Sequence, residues 1–466
     1  MFLVFSSIEF LLRFLPVFLL LYALTPTALK NVTLLLGSLI FYAIGEPKYV
    51  LLLTASVFAN FFLSQYFVRP GRQKGKKRKE KQRRLEKKNK ILLAVAVTGN
   101  LALLVLFKYG AGDESLPLGI SFYTFQVLSY LIDVCRGKQQ KETSFVRFAT
   151  YIVMFPQLVS GPIVTYGEVR RELVKRRFDL GSLQDGLKVF TMGLASKVLL
   201  SDRIGLLWQE VQITGFESIS TPLAWIAAVA YSLRIYFDFY GYSLMAIGLG
   251  RMLGFELPEN FRMPYLAGSV RDFYRRWHIT LGRWFCRYVY IPLGGSRNGK
   301  LRTVCNLFAV WLLTALWHGS TANFLIWGLL LCLIIVLERQ VQAMGISKAF
   351  TRGPLRALPH LYLWTVIPVT WMCFEITDVS ALWVYLGRMF GFVEGIRVSA
   401  LDWRRALGTY WYLFAIGFTA CTPAVKKLFD RWKDSWVGIL LLAALFWVCV
   451  WRLQVEGHNP FMYFSF

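Results

Sequence analysis

Val304-Cys-Asn-Leu-Phe-Ala-Val-Trp-Leu-Leu-Thr-Ala-Leu-Trp-His-Gly-Ser-Thr-Ala-Asn-Phe-Leu-Ile-Trp-Gly-Leu-Leu-Leu-Cys-Leu-Ile-Ile-Val-Leu337 sets two apolar runs, Val304 to Trp317 and Ala322 to Leu337, on either side of His318. As one straight helix these 34 residues would measure about 51 Å, well past a bilayer hydrocarbon core of about 30 Å. The spacing therefore predicts a break near Gly319. Inside a membrane, broken helix is tolerated only where the opened backbone is buried in protein or lines a watered cavity. His318 is thus a candidate cavity-wall residue; a turn histidine at the membrane surface is the competing reading.

The rest of the chain has the same character. Of 466 residues, 56% are hydrophobic and only 17% are charged, where soluble proteins carry about 25% charged residues. Too few charges remain to cover a soluble surface, which argues against a soluble enzyme, a disordered chain and a disulfide scaffold. The formal charge of +26 sits mostly in the connectors between apolar runs, the pattern of basic cytoplasmic loops and not of a nucleic-acid tail. Residues 69–90 alone hold 13 Lys/Arg against two Glu, which places this run in the cytoplasm. Three apolar segments precede it: Phe2 to Leu24, which lacks a basic n-region and an A-x-A cleavage site, Val32 to Ile44, and Tyr49 to Val68. The N-terminus is then expected outside.

Further apolar stretches lie at Ile91–Tyr109, Leu118–Val134, Phe148–Val164, Leu187–Trp208 and Leu223–Leu253, and later at Leu361–Phe374, Tyr410–Cys421 and Val437–Trp451. The expectation is an all-α polytopic membrane protein with about ten to twelve transmembrane helices plus re-entrant and interfacial helices, built as a single domain over residues 1–466. No internal repeat of the transporter kind is visible. The seven cysteines are scattered singly, without CxxC spacing or nearby His pairs, so no metal site is expected.

Four histidines exist. His360 opens a late span and His458 lies in a polar connector. His278 lies in Arg271-Asp-Phe-Tyr-Arg-Arg-Trp-His-Ile-Thr-Leu281. On a helical projection Phe273, Trp277, Leu281, Trp284 and Tyr288 form one stripe, with Arg275, Arg276, Arg283 and Arg287 opposite. This predicts an interfacial helix with its aromatic side inward. His278, at the border, is either inert or a second imidazole at the mouth of the His318 cavity. Arg234 and Asp238 stand at the spacing of an intrahelical ion pair. A neutral, buried imidazole can take a hydroxyl proton as that hydroxyl attacks a carbonyl, and such help needs an already activated donor such as a thioester. HExxH, Walker A, GxGxxG and GxSxG motifs are absent, which removes ATP-driven transport and zinc proteolysis.

Seven ordered motifs carry a resemblance: Pro117-Leu-Gly-Ile-Ser-Phe-Tyr-Thr-Phe125, Phe155-Pro-Gln-Leu-Val-Ser-Gly-Pro162, Tyr236-Phe-Asp-Phe-Tyr-Gly-Tyr-Ser243, Pro258-Glu-Asn-Phe261, Arg275-Arg-Trp-His-Ile-Thr-Leu281, Tyr290-Ile-Pro-Leu-Gly-Gly-Ser-Arg297 and Leu316-Trp-His-Gly319. Together they resemble the membrane-bound O-acyltransferase family, of the bacterial alginate and polysaccharide O-acetylation type, with the motif core at about 115–340. The resemblance implies a multi-pass enzyme of the bacterial cytoplasmic membrane, serving exopolysaccharide and cell-envelope biosynthesis. It would move an acyl group, acetyl first, from a cytoplasmic thioester toward hydroxyls of an extracytoplasmic polysaccharide. The donor it implies is acetyl-CoA or an acyl carrier thioester, a substrate and not a resident cofactor. The partner it implies is an SGNH-type secreted or membrane-anchored acyltransferase.

His318 matches the family's catalytic histidine, and His278 the second histidine of the reaction chamber. Trp317, Asp238, Tyr240, Asn260, Arg275, Arg276 and Trp277 fall in the same motifs and are expected to bind substrate or line the tunnel. Tyr240 and Leu244 replace an expected Ser and Asp. Two readings compete with this one: a D-alanyl transferase to teichoic acid fed by a carrier protein, and a polytopic translocase of lipid-linked glycan.

Overall fold

The computed structural model describes residues 3–68, 76–110, 116–159, 161–345, 353–457 and 461–462. His458, residues 69–75 of the basic run, and Tyr463 to Phe466 lie outside the described residues. Within the described residues the chain is helical, without strands. Among the described residues seven helical segments are long and apolar enough to cross a membrane: Thr27–Gly45, Pro47–Gln65, Gln82–Gly110, Gly299–His318, Ala322–Ala343, Leu355–Glu375 and Trp436–Glu456. Ile120–Cys135 and Val379–Phe390 are shorter apolar helices. The chain is an all-α polytopic membrane protein.

Two compact units divide the chain. Unit 1 comprises residues 1–190 and 245–258. Its helices are α1 (Leu15–Leu24), α2 (Lys30–Gly45), α3 (Val50–Gln65), α4 (Lys76–Val105), α5 (Ile120–Cys135), α6 (Phe145–Val153), α7 (Phe155–Leu158) and α8 (Tyr166–Val174), together with most of α9 (Leu180–Ala195). Its core is aromatic. Phe10, Phe14, Phe18 and Phe41 all pack against Phe155, with ring centroids 5.3 to 6.2 Å apart. The expected span Phe148–Val164 is broken, because Met154 turns extended and Pro156 starts a fresh helix at α7; a proline lacks the N–H that would have continued α6.

Unit 2 comprises residues 191–244 and 259–466. It holds α10 (Asp202–Thr214), most of the 32-residue α11 (Thr221–Met252), and the short helices α12 (Val270–Arg276) and α13 (Ile279–Phe285). The hairpin α14 (Gly299–His318) and α15 (Ala322–Ala343) follows, then α16 (Leu358–Glu375), α17 (Val379–Phe390), α18 (Asp402–Ala420), α19 (Pro423–Trp432) and α20 (Trp436–Glu456). The break required by span length falls at Gly319, whose extended backbone caps α14 directly after His318. A Cβ on Gly328 would lie 2.7 Å from Ala315 Cβ and 3.1 Å from the Trp311 carbonyl. Small residues thus let α14 and α15 approach closely, the way helices associate in lipid.

Candidate active site

Residues 271–288 do not form the single helix expected of them. The chain breaks at His278, which takes a left-handed conformation (φ 45°, ψ 52°) between α12 and α13. Such backbone costs a non-glycine residue on the order of 1–3 kcal/mol and persists only where the surroundings enforce it. Here the enforcement is a strap from residues 260–262. The Asn260 carbonyl accepts the Ile279 N–H at 2.9 Å, and the Arg276 carbonyl accepts the Arg262 N–H at 2.9 Å. Asn260 Oδ1 lies 3.1 Å from His278 Nδ1 and accepts the Thr280 hydroxyl at 2.9 Å and the Thr280 N–H at 3.3 Å. The aromatic stripe survives the break, since Phe273, Trp277, Leu281, Trp284 and Tyr288 are all buried.

His278 and His318 are both buried and both line one cavity of about 240 Å³. Its wall is largely aromatic, with Trp277, Trp311, Trp327 and Trp371 among the lining residues, and Thr314, Tyr274 and Tyr290 supply hydroxyls. The lining runs from exposed Gly282 and Cys286 to the two buried imidazoles. Around His318 the Trp327 ring stands edge-on at 5.0 Å and Phe374 at 5.3 Å. Trp317 lies between the histidines, 4.8 Å from His318 and 6.3 Å from His278. His278 lies outside the seven apolar spans, and burial pushes its pKa down to about 3. The ring is neutral across the physiological range.

Among the other residues expected at the site, Trp277 lines the cavity and Asn260 reaches it through His278. Asp238, Tyr240, Arg275 and Arg276 do not line it. Tyr240 stacks on Tyr236 at 5.3 Å, and Arg276 bonds Asp272 at 3.0 Å. The Arg234–Asp238 pair that the spacing allows does not form. Asp238 instead bonds Lys197 at 2.8 Å, and Lys197 also holds Asp202 at 2.6 Å. Asp238 further accepts the Met462 N–H at 2.9 Å. Next to that contact, Phe461 packs on Phe239 at 5.6 Å, and Phe239 stands edge-on to His278 at 4.7 Å. His360 is exposed at the start of α16, away from this chemistry. Trp311, Trp327, Trp371, Tyr274 and Thr314 were not singled out by sequence, because an aromatic or threonine inside an apolar run reads equally well as a lipid-boundary or packing residue.

Residues 39–377 match the family model for membrane-bound O-acyltransferases. The chain belongs to that family. This membrane-bound O-acyltransferase is 32% identical, over 99% of its own length and 100% of the relative's, to a protein of Pseudomonas putida named a probable alginate O-acetylase. It is 31% identical to a peptidoglycan O-acetyltransferase of Helicobacter pylori, over 86% of its own length and 82% of the relative's. A teichoic acid D-alanyltransferase of Bacillus subtilis is 27% identical over 46% of this chain and 56% of the relative. Both histidines and the four cavity tryptophans lie inside the matched segment of the acyltransferase.

Proposed function

We propose that this acyltransferase moves an acetyl group from a cytoplasmic thioester, acetyl-CoA, to hydroxyls of an extracytoplasmic polysaccharide, and that a secreted or membrane-anchored SGNH-type protein completes delivery to the polymer. The observation that carries the reading is the presence of two imidazoles in one aromatic-walled cavity. His318 is the general base on the acceptor hydroxyl or on a relay hydroxyl. That oxygen attacks the thioester carbonyl carbon, His318 takes its proton, the carbon–sulfur bond breaks, and the leaving thiolate is reprotonated from the imidazolium. General-base assistance of this kind contributes about 10² to 10⁴ in rate. His278 hydrogen-bonds or orients the reacting groups through its second ring nitrogen.

The acetyl group and the polysaccharide acceptor are supported by relatives that align over most of their lengths, whereas the D-alanyl transferase aligns over about half of its own. Arg275 and Arg276, at the end of α12 and outside the cavity lining, would draw the anionic donor toward the membrane surface. By the positive-inside rule residues 69–90 face the cytoplasm of a bacterial inner membrane, and the N-terminus faces outward with the helical segment 9–24 counted as a crossing beside Thr27–Gly45 and Pro47–Gln65.

The test is His318→Ala in cells producing the polymer, with ester content of the purified glycan as readout and membrane abundance as control. Loss of esters at normal abundance is the expected result; unchanged ester content overturns the assignment. With acetyl-CoA supplied to inverted vesicles, the wild type releases free CoA thiol in step with ester formation, and His318→Ala releases none.

A further inference from the structure

Unit 1 contains a second cavity, of about 360 Å³, with a lining unlike that of the histidine cavity. It is bounded by Ala28 just before α2 and Asn31 in its first turn, by the start of α6 (Val146, Arg147), and by the end of α8 and the two residues after it (Glu172 to Arg176). One of the apolar spans, Thr27–Gly45, begins in this wall. The α6 wall adjoins the end of α3, where Gln65 Nε2 donates to the Glu142 carbonyl at 2.8 Å, so the cavity lies toward the end of α3 from which the chain enters the basic run. A cavity at the end of a span stands at the level of lipid headgroups.

The charges around it do not balance. Arg176 and Lys30 are both more than nine-tenths buried, and neither is ion-paired to a carboxylate among the described residues. Arg176 Nε donates to the Tyr22 hydroxyl at 2.7 Å, and Nη1 donates to Asn31 Oδ1 at 2.6 Å and to the Glu172 carbonyl at 3.2 Å. Its Nη2 has no acceptor. Lys30 Nζ donates to the Tyr22 carbonyl at 2.7 Å and sits over the Tyr22 and Phe178 rings at 4.4 and 4.5 Å. Carbonyls and ring faces solvate these cations without neutralising them, the lining offers Glu172 against them, and the excess of buried positive charge is expensive until a counter-charge arrives. Lys175 adds an exposed cation to the lining, while Arg147 is already matched by Glu142 at 2.8 Å.

Two further features describe the counter-ion. Glu172 lines the same cavity, and its buried Oε2 has no donor, so the ligand carries a hydrogen-bond donor near its negative charge. Val174, also in the lining, is 60% exposed, and the neighbouring Leu24 and Leu29 are 74% and 52% exposed; this apolar rim suits hydrocarbon. We propose that this cavity binds the headgroup of one phospholipid, with its phosphate toward Lys175 and Arg176 and its ethanolamine ammonium or glycerol hydroxyl toward Glu172.

The test is native mass spectrometry of the full-length protein, purified in detergent and offered equal amounts of phosphatidylethanolamine, phosphatidylglycerol and phosphatidylcholine. The wild type is expected to retain one ethanolamine or glycerol lipid through delipidation in preference to the choline lipid, which has no donor. Lys175→Gln and Arg176→Gln lower that retention by about tenfold, the scale of one charge-assisted hydrogen bond. Glu172→Gln erases the preference against choline. Val146→Trp, which fills the cavity and leaves every charge in place, lowers retention as well. Should Arg176→Gln fail to fold, Lys175→Gln and Val146→Trp decide, since both leave the Tyr22–Arg176–Asn31 network intact. Equal lipid retention by wild type and these variants overturns the proposal. So does a wild type that keeps no lipid yet binds sn-glycerol 3-phosphate in the same assay, because the ligand would then be a soluble phosphate.

Discussion

Asn260 Oδ1 is the shared acceptor for three donors, and one of them is Nδ1 of His278 at 3.1 Å. Because the same atom accepts a backbone N–H from Thr280, it is the amide oxygen and not the nitrogen. His278 Nδ1 therefore carries the proton, and Nε2 is the nitrogen with the lone pair. Asn260, 18 residues upstream, thus sets the tautomer of an imidazole in the candidate site.

The first prediction follows from that tautomer. Asn260→Ala removes the amide oxygen that accepts from His278 and Thr280, and with it the restraint on a left-handed residue. Turnover should fall by about tenfold or more, with a smaller change in KM. Asn260→Asp restores the acceptor but places a negative charge beside a ring that burial holds neutral. The imidazolium becomes more favourable, the pKa of His278 rises toward the assay range, and the kcat profile gains an acid limb. Asn260→Ala should gain none. A pH profile of Asn260→Asp identical to that of the wild type would mean that His278 takes no part in turnover.

The second prediction concerns the cap after His318. A Cβ on Gly319 would lie 1.9 Å from the Phe324 ring, closer than any relaxed contact. Gly319→Ala should displace Phe324, which packs against Phe374 at 5.0 Å, and with it the Phe374 ring that stands 5.3 Å from His318. The backbone at Gly319 is extended, so the obstacle is steric. A double variant with Phe324→Ala should recover part of the lost turnover. Additive losses in the double-mutant cycle would show that the two positions are uncoupled.

How much of this was legible in the sequence depends on the range of the interaction. The break after His318 follows from span length, a quantity counted directly along the chain. The break at His278 does not: the aromatic stripe continues through it at helical spacing, and the residue that holds it open, Asn260, is neither on that helix nor next to it. Arg234 and Asp238 illustrate the same limit. Local spacing sees a partner four residues away and cannot see Lys197, which a neighbouring helical segment brings to 2.8 Å. The cavity tryptophans come from three separate helices and the turn at Trp277, so only packing reveals that they converge.

The third prediction tests the buried charges of unit 2. Lys197 and Asp238 have side chains only 4% and 1% exposed, and Lys197 bridges Asp238 and Asp202. Lys197→Met strands two carboxylates and should destabilise the protein by about 3–5 kcal/mol. Asp202→Asn leaves the Lys197–Asp238 pair whole and should cost clearly less. Thermal unfolding in detergent should rank the wild type first, Asp202→Asn second and Lys197→Met last. A Lys197→Met protein as stable as the wild type would show that the three charges are not energetically coupled.

The fourth prediction concerns acyl size and rests on the proposed acyl transfer. Trp327 stands 5.0 Å from His318, and Trp371 lies 4.9 Å from Trp277, so these indoles bound the space beside the proposed base. Room for extra methylenes beside the base has to come from a side chain that is removed. Trp327→Ala touches His318 and should lower activity with every donor, so absolute rates do not discriminate. The ratio of butyryl to acetyl transfer does, because the damage to the base enters both rates alike. One methylene in a hydrophobic pocket shifts kcat/KM by about 10- to 200-fold, and Trp327→Ala or Trp371→Ala should raise the butyryl-to-acetyl ratio by about tenfold or more. A ratio unchanged in both variants would show that the acyl chain does not occupy this cavity during transfer.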